Sequence, residues 1–455
     1  MFAEHDDVDP RVVDLVAEAL ADVPRAAYSV PHVYPAAAPA YAPAPSALRP
    51  HPPSDRFSLY VHLPYCRYRC TFCHFVVRVG ADVTAMQRYA SAITKELEWI
   101  PAGAQLSQLY VGGGTPTVLP PELMDEVLSA VFARTDAASG AVHTVETSPE
   151  TISQAHLDVF RRHGIGRVSM GIQSLEREVL DTVHRDQTSE GALGACALLL
   201  DSGLIVNTDL IYGLPGQTRE SFLFDLTTLA ELGVPSLTLY SLHVTERTPV
   251  ARVLGDQPFD LAGLMGWRAF VKRSAEDLGY TQTRWHSFKR LDTIARTHQF
   301  ERDFDNQLAG TQFGVGLSAR SHLGRVMYRN HEVHDTYIDR IERGESPVQQ
   351  RFDFEEDDLM TQFIARSLGD GKPLHRAEYE RVFGRSIDSD FGVLLDRLRR
   401  AALIDDDGAT LLLAERGKLV YDLVTLAFYP ERARAWLSGR ESRAAFVSVT
   451  GKAKP

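Results

Sequence analysis

The sequence predicts an α/β chain: a TIM-like, partial (β/α)6 barrel followed by a mostly helical, winged-helix-like C-terminal region. Three observations carry that expectation. Apolar runs at 58–63, 108–112, 142–146, 167–172, 205–212 and 236–242 have the length and continuity of buried strands. Helical patterns separate them at roughly 84–99, 121–133, 151–163, 176–183, 190–202 and 218–232, the alternation of a parallel sheet with right-handed crossovers. From about Phe352 the periodicity turns helical.

Composition bounds the classes of function. A chain of 455 residues can bury a large core and divides into two or three domains. Its apolar content of 44% and charged content of 24% are those of a soluble globular protein. The longest apolar runs, such as Ala195-Cys-Ala-Leu-Leu-Leu200, are too short to span a bilayer, so no membrane partner is expected. Net charge is −12, which disfavours sequence-independent nucleic-acid binding. The acidic start Met1-Phe-Ala-Glu-His-Asp-Asp7 has no basic-then-apolar pattern and reads as no secretory signal. Four cysteines, three of them clustered, suit a reducing cytoplasm rather than a disulfide framework.

Taken in order, residues 11–23 suit a short amphipathic helix. Residues 24–55 are dense in Pro and Ala, which prevents regular hydrogen bonding and makes them a linker or surface strap. The first strand runs into Tyr60-Val-His-Leu-Pro-Tyr-Cys66-Arg-Tyr-Arg-Cys70-Thr-Phe-Cys73-His-Phe75, with three cysteines spaced C-x3-C-x2-C. Thiolates in so short a loop can converge on one metal centre. Three are too few for a closed structural zinc site. A 4Fe-4S cluster held by three cysteines keeps one iron open for chemistry. Cys196, on an apolar helix, reads as a small buried hydrophobe and not as a ligand.

Later strands end in further polar motifs, where such barrels carry their active groups. After the second comes Gly112-Gly-Gly-Thr-Pro-Thr117, suited either to close backbone approach of a ligand or to a tight turn. After the third, Glu146-Thr-Ser-Pro-Glu150 offers a carboxylate to an ammonium group, or else a helix N-cap through Ser148. The fourth ends in Ser169-Met-Gly-Ile-Gln-Ser174, and His184-Arg185 follows its helix; Gln173 donates and accepts at once, and Arg185 is a planar fork for a carboxylate. The fifth gives Asn207-Thr-Asp-Leu-Ile-Tyr212, in which Asp209 and Ile211 share one face. An acid in so apolar a strand is costly unless paired or bound to ligand.

Together these motifs resemble the radical S-adenosylmethionine (SAM) superfamily. The lead-in Tyr-x-His-x-Pro-Tyr-Cys and Phe72 before the last cysteine resemble its oxygen-independent coproporphyrinogen III oxidase branch. That branch includes haem chaperones and class C methylases and cyclopropanases. The resemblance implies a 4Fe-4S cluster on Cys66, Cys70 and Cys73. It implies that the open iron binds SAM, whose reductive cleavage releases a 5′-deoxyadenosyl radical. It implies SAM contacts from Tyr60, Gly113, Gly114, Thr115, Glu146, Gln173, Arg185, Asp209 and Ile211, with Phe72 near the adenine. A small-molecule substrate and a reductant such as flavodoxin or ferredoxin follow as partners.

The resemblance also divides the chain. Residues 1–55 are an N-terminal extension, 56–300 the barrel, 301–350 a barrel-closing, substrate-side segment, 351–435 the winged-helix-like domain and 436–455 a tail. Tyr240 and His243, at the end of the sixth strand, are pocket candidates, and Thr245-Glu-Arg-Thr-Pro249 leads toward the substrate side. An amphipathic helix at about 260–278 precedes Trp285-His-Ser-Phe288. Phe313-Gly-Val-Gly-Leu-Ser-Ala319 resembles a Gly-x-Gly-x-Ser element that, in relatives binding a second SAM, helps to hold it. The C-terminal segments 403–408 and 410–414 suggest a small wing, which the acidic balance makes a lid or packing module rather than a nucleic-acid reader.

One departure bears on the reaction. Oxidases proper carry a further cysteine two positions after the last ligand, and haem chaperones an Asp–Phe pair; this chain has His74-Phe75. The expectation is therefore methyl or methylene transfer of the class C kind, using two SAM molecules. The alternatives are coproporphyrinogen-type oxidative decarboxylation and haem trafficking.

Overall fold

The computed structural model describes residues 8–23, 42–45, 47–244, 248–254, 260–291 and 311–438. Most of the Pro/Ala-rich segment, Thr245–Arg247, residues 303–310 and the tail from 439 lie outside them.

The strand–helix alternation is present with bounds close to those expected. The strands are β1 (Phe57–Leu63), β2 (Ala104–Gly113), β3 (His143–Thr147), β4 (Ile165–Gln173), β5 (Ile205–Tyr212) and β6 (Ser236–Ser241). The helices that follow are α1 (Val83–Leu97), α2 (Pro121–Arg134), α3 (Gln154–Arg162), α4 (Arg177–Thr182), α5 (Ser189–Asp201) and α6 (Arg219–Glu231). Each strand pairs in parallel with the next in sequence. The side-chain caps are local: Asp82 accepts from the Ala85 N–H, Ser153 from His156, and Thr218 and Ser221 form a reciprocal capping box.

A seventh parallel strand, β7 (Gln312–Gly316), joins the free edge of β1 with Phe313 opposite Leu59 and Val315 opposite Val61. The sequence reading had this stretch as a ligand-holding glycine element. Its glycines have a packing reason of their own. A Cβ on Gly314 would strike the Arg320 backbone, and one on Gly316, at φ +104°, would come within 2.6 Å of the His62 carbonyl.

Antiparallel strands extend the sheet at both ends, Ser287–Arg290 and Tyr280–Arg284 beyond β6, and Arg320–Leu323, Val326–Asn330 and Val348–Asp353 beyond β7. Among the described residues the two ends are not hydrogen-bonded to each other, so the barrel stays open. The main core lies between sheet and helices, with Val61, Leu109, Val111, Val145, Val168 and Leu210 fully buried.

A second core gathers the C-terminal helices Glu356–Ser367, Arg376–Phe383 and Ile387–Arg400 with a small sheet of Leu374–His375, Ile404–Asp406 and Thr410–Leu413. The N-terminal helix Pro10–Ala19 belongs to this core through Val16 and Ala19. Just beyond that helix, Asp22 pairs with Arg397 at 2.8 Å and Arg434 at 3.0 Å. No helix among the described residues is long and apolar enough to cross a membrane.

Candidate active site

The loop after β1 is closed on itself. Tyr65–Cys66 pairs with Arg78–Val79, and the Arg78 N–H donates to the Pro64 carbonyl at 2.7 Å. Between these clamps Cys66, Cys70 and Cys73, none in a disulfide, line a cavity of about 410 Å³ at the C-terminal ends of the strands. The Thr115 hydroxyl points at Cys66 Sγ (3.8 Å) and the Arg185 guanidinium at Cys70 Sγ (3.7 Å). Burial holds all three thiols above their ordinary pKa, Cys66 at about 12. Donors aimed at sulfur suit thiolates, and a bound iron centre is what makes buried thiols thiolate. Among the described residues no three His, Cys, Asp or Glu side chains surround a single ion. The donor set, three cysteine sulfurs on the wall of a ligand-sized cavity, fits a multi-iron cluster with one corner turned to the cavity.

The same cavity collects most of the predicted cofactor residues. Phe72, Gly113, Gly114, Thr115, Glu146, Gln173, Arg185, Asp209 and Ile211 all line it. Sheet register brings them together: Glu146 stands opposite Ser169 on the next strand, and Gly171 opposite Asp209 on the one after. A shift in register between Gly171 and Gln173 leaves Gln173 at φ +73°, a strained conformation for a residue with a Cβ, at the cavity wall.

The carboxylates carry the strongest electrostatic signature. Tyr110 donates to Glu146 at 2.6 Å and the Gly113 N–H at 3.2 Å. Burial nevertheless raises Glu146 to a pKa of about 7. Asp209 accepts from Asn207 (2.7 Å) and Ser169 (3.3 Å), and burial raises it to about 6. The N-cap alternative for this stretch falls: Ser153 caps α3, while Ser148 bonds Thr151 at 3.1 Å. The glycine loop also packs closely on the cysteine loop, since a Cβ on Gly114 would meet the Tyr65 carbonyl at 2.6 Å.

Two of the predicted residues have further surroundings. Tyr60 lines an adjoining chamber of about 300 Å³ and bonds His62 Nδ1 at 3.0 Å. The Arg185 fork is engaged by protein, donating to Gln187 Oε1 (2.8 Å), the Gly171 carbonyl and Cys70. Cys196 is buried in the core on α5, as expected for a packing residue. Tyr240 and His243 do line the cavity, and Tyr240 stacks on His286 with centroids 5.0 Å apart.

Sequence reasoning missed Tyr421 and Asp422, which reach the cavity from the C-terminal region. Arg268 grips Asp422 through two 2.8 Å bonds, lies 4.5 Å from the Tyr421 ring, and is buried with its partner. No local pattern marks them, because the partners are separated by 154 positions.

Comparison with known proteins agrees with this geometry. The profile of the Radical SAM superfamily matches residues 60–229. That segment spans the cysteine loop and all but one of the first six parallel strands. Residues 60–229 are thus a radical SAM domain. The chain is 28% identical over 398 residues to the oxygen-independent coproporphyrinogen III oxidase of Escherichia coli, covering 83% of this chain and 86% of that one. It is also 28% identical to the haem chaperone HemW of Mycobacterium tuberculosis, over 82% of this chain and 94% of the relative. The solved structure of the E. coli oxidase HemN superposes with a TM-score of 0.71 at 27% identity, covering 82% of this radical SAM protein and 90% of the oxidase. The chain is thus a radical SAM enzyme, similar over most of its length to the coproporphyrinogen oxidase-like branch, with a 4Fe-4S cluster and SAM as its cofactors.

Proposed function

We propose that this enzyme removes a hydrogen atom from a carboxylate-bearing small molecule. The radical so formed then loses carbon dioxide and passes one electron to a one-electron acceptor to leave an alkene, the oxidative decarboxylation that the resemblance to coproporphyrinogen III oxidases implies. One observation carries this reading. The likeness to the E. coli oxidase is too long to be confined to the common barrel, covering 83% of this chain and 86% of that one. The expectation of methyl transfer is accordingly demoted to second place.

Bound together, the cluster and SAM supply a 5′-deoxyadenosyl radical once an electron is delivered. The chain's own residues hold, orient and shield. Cys66, Cys70 and Cys73 hold three irons, while Thr115 and Arg185 donate to the sulfurs of Cys66 and Cys70 and offset their negative charge. Glu146, ionised, accepts from the SAM ammonium; Gln173 and Asp209 bond the rest of the nucleotide, and Phe72 and Ile211 pack its base. Tyr60, which bonds His62 and lies beside Tyr110, is a further SAM contact. Tyr421 and Asp422 close the substrate side and limit water. Flavodoxin or ferredoxin supplies the electron, in a reducing cytoplasm that keeps the thiols free.

Class C methyl or methylene transfer with a second SAM is favoured by one residue: Phe75 stands where oxidases proper carry cysteine. Anaerobic incubation of the reconstituted enzyme with SAM, reduced flavodoxin and coproporphyrinogen III separates the readings. The first expects carbon dioxide with 5′-deoxyadenosine and no S-adenosylhomocysteine. S-adenosylhomocysteine without carbon dioxide would overturn it, as would tight haem binding without turnover.

A further inference from the structure

The chamber of about 300 Å³ that adjoins the cofactor cavity is walled by the groups that hold the two cavity carboxylates. Tyr110, which donates to Glu146, lines it, as do Ser169 and Thr238, which donate to Asp209. Arg167 lines it too and is buried. On β4, Arg167 precedes Ser169 by two positions, so both side chains leave the same face of the strand. Ser169 stands opposite Glu146 on β3 and Gly171 opposite Asp209 on β5, which sets Arg167 deeper in the barrel than both acids. Its positive charge reaches both and favours the ionised form of each. Burial works the other way on both acids, and the charge of Asp209 further opposes that of Glu146. The other titratable groups on the chamber supply no negative charge. Burial keeps the hydroxyls of Tyr60, Tyr110 and Tyr240 protonated. Arg284, 3.8 Å from Asp370, and His286, stacked on Tyr240, come from the strands beyond β6. No Asp or Glu lines the chamber.

We infer that Arg167 is a positioning residue for SAM binding: its enclosed guanidinium keeps Glu146 and Asp209 charged together before the cationic cofactor arrives. SAM brings an ammonium and a sulfonium against one carboxylate, so it carries a net positive charge. Without it, two buried acids need a cation of their own or must take up a proton. A site that had taken up a proton would have to release it in order to bind SAM. Arg167 removes that step, and arginine suits the place because it stays protonated when buried. The role rests on Glu146 and Asp209 as SAM contacts, whichever reaction follows.

The test is equilibrium dialysis of SAM against the reconstituted holoenzyme from pH 6 to 9, at matched iron content. Native enzyme, Arg167→Gln and Arg167→Lys are compared. In Arg167→Gln the midpoint of the rise in affinity with pH is expected to move up by about one unit. SAM then binds about tenfold more weakly at pH 7 and within about twofold of native at pH 9. Arg167→Lys keeps the charge and is expected to follow the native profile. In a Glu146→Gln background, where one acid is already neutral, the shift caused by Arg167→Gln is expected to fall to about half or less.

A loss of affinity equal at every pH would mean that Arg167 only supports the fold, and it overturns the role. So does an Arg167→Gln profile that matches the native one. Should Arg167→Gln yield no holoenzyme, Arg167→Lys decides alone: a midpoint raised by about one unit despite the retained charge sinks the role. Failure of the SAM-contact reading looks different. Glu146→Gln and Asp209→Asn would then leave SAM affinity unchanged at every pH with Arg167 intact.

Discussion

Cys66 reports most directly on the chemistry, because its sulfur has a hydroxyl aimed at it and no disulfide partner. Replacing Cys66, Cys70 or Cys73 by Ala is expected to abolish cluster retention and SAM cleavage, measured as iron content and 5′-deoxyadenosine after reconstitution. Cys196→Ala should leave both unchanged, since that thiol is buried in the core away from the cavity. Glu146 and Asp209 add a pH signature. Burial raises them to about 7 and about 6, so acid favours the neutral forms, which lack the negative charge that holds the ammonium. SAM affinity should therefore rise as pH increases from about 5.5 to 8. Glu146→Gln should weaken SAM binding by about tenfold and flatten the upper part of that profile, read by equilibrium dialysis at each pH.

At the scale of elements, β7 locks the first strand, and a single buried carboxylic acid ties it down. Glu96, at the end of α1, accepts from the Gly316 N–H (2.8 Å), Asn330 (2.7 Å) and the Tyr337 hydroxyl (2.6 Å), joining four separate segments. Burial raises its pKa to about 7 from an ordinary 4.5. The native state thus holds its proton more tightly than the unfolded chain does. That contribution to stability is present in full below about pH 4.5 and is lost as pH rises through 7. Glu96→Gln should lessen the fall in denaturation midpoint between pH 5 and 8, while its loss of one acceptor lowers stability at pH 5. Gly314→Ala, which forces a Cβ onto the Arg320 backbone, should cost about 1–3 kcal/mol by denaturant titration.

Across the whole molecule, the buried Arg268–Asp422 pair fastens the C-terminal region to the barrel and sets Tyr421 at the cavity. Removing one partner strands a buried charge, so Asp422→Asn or Arg268→Met should each cost about 3–5 kcal/mol, and the double change less than their sum. A double-mutant cycle by denaturant unfolding measures the coupling. A near-additive result would mean the pair is not what holds the regions together.

The legibility of this chain in its sequence follows the range of each interaction. The cysteine loop, the six strand–helix alternations and the polar residues ending successive strands were readable because local spacing encodes them: a ligand loop is short, and a strand buried on both faces is continuously apolar. Position in three dimensions was not readable. That Tyr60 lines an adjoining chamber could not be read from its strand pattern, since the twist and register of neighbouring strands choose which chamber it faces. The glycines of Gly314–Gly316 resembled a ligand element, and the packing that also requires them, against the backbone of Arg320 and His62, is met only after β7 docks on β1. Tyr421 and Asp422 had no signal because the Arg268 contact that places them spans 154 positions, a distance over which packing, and not periodicity, decides who meets whom.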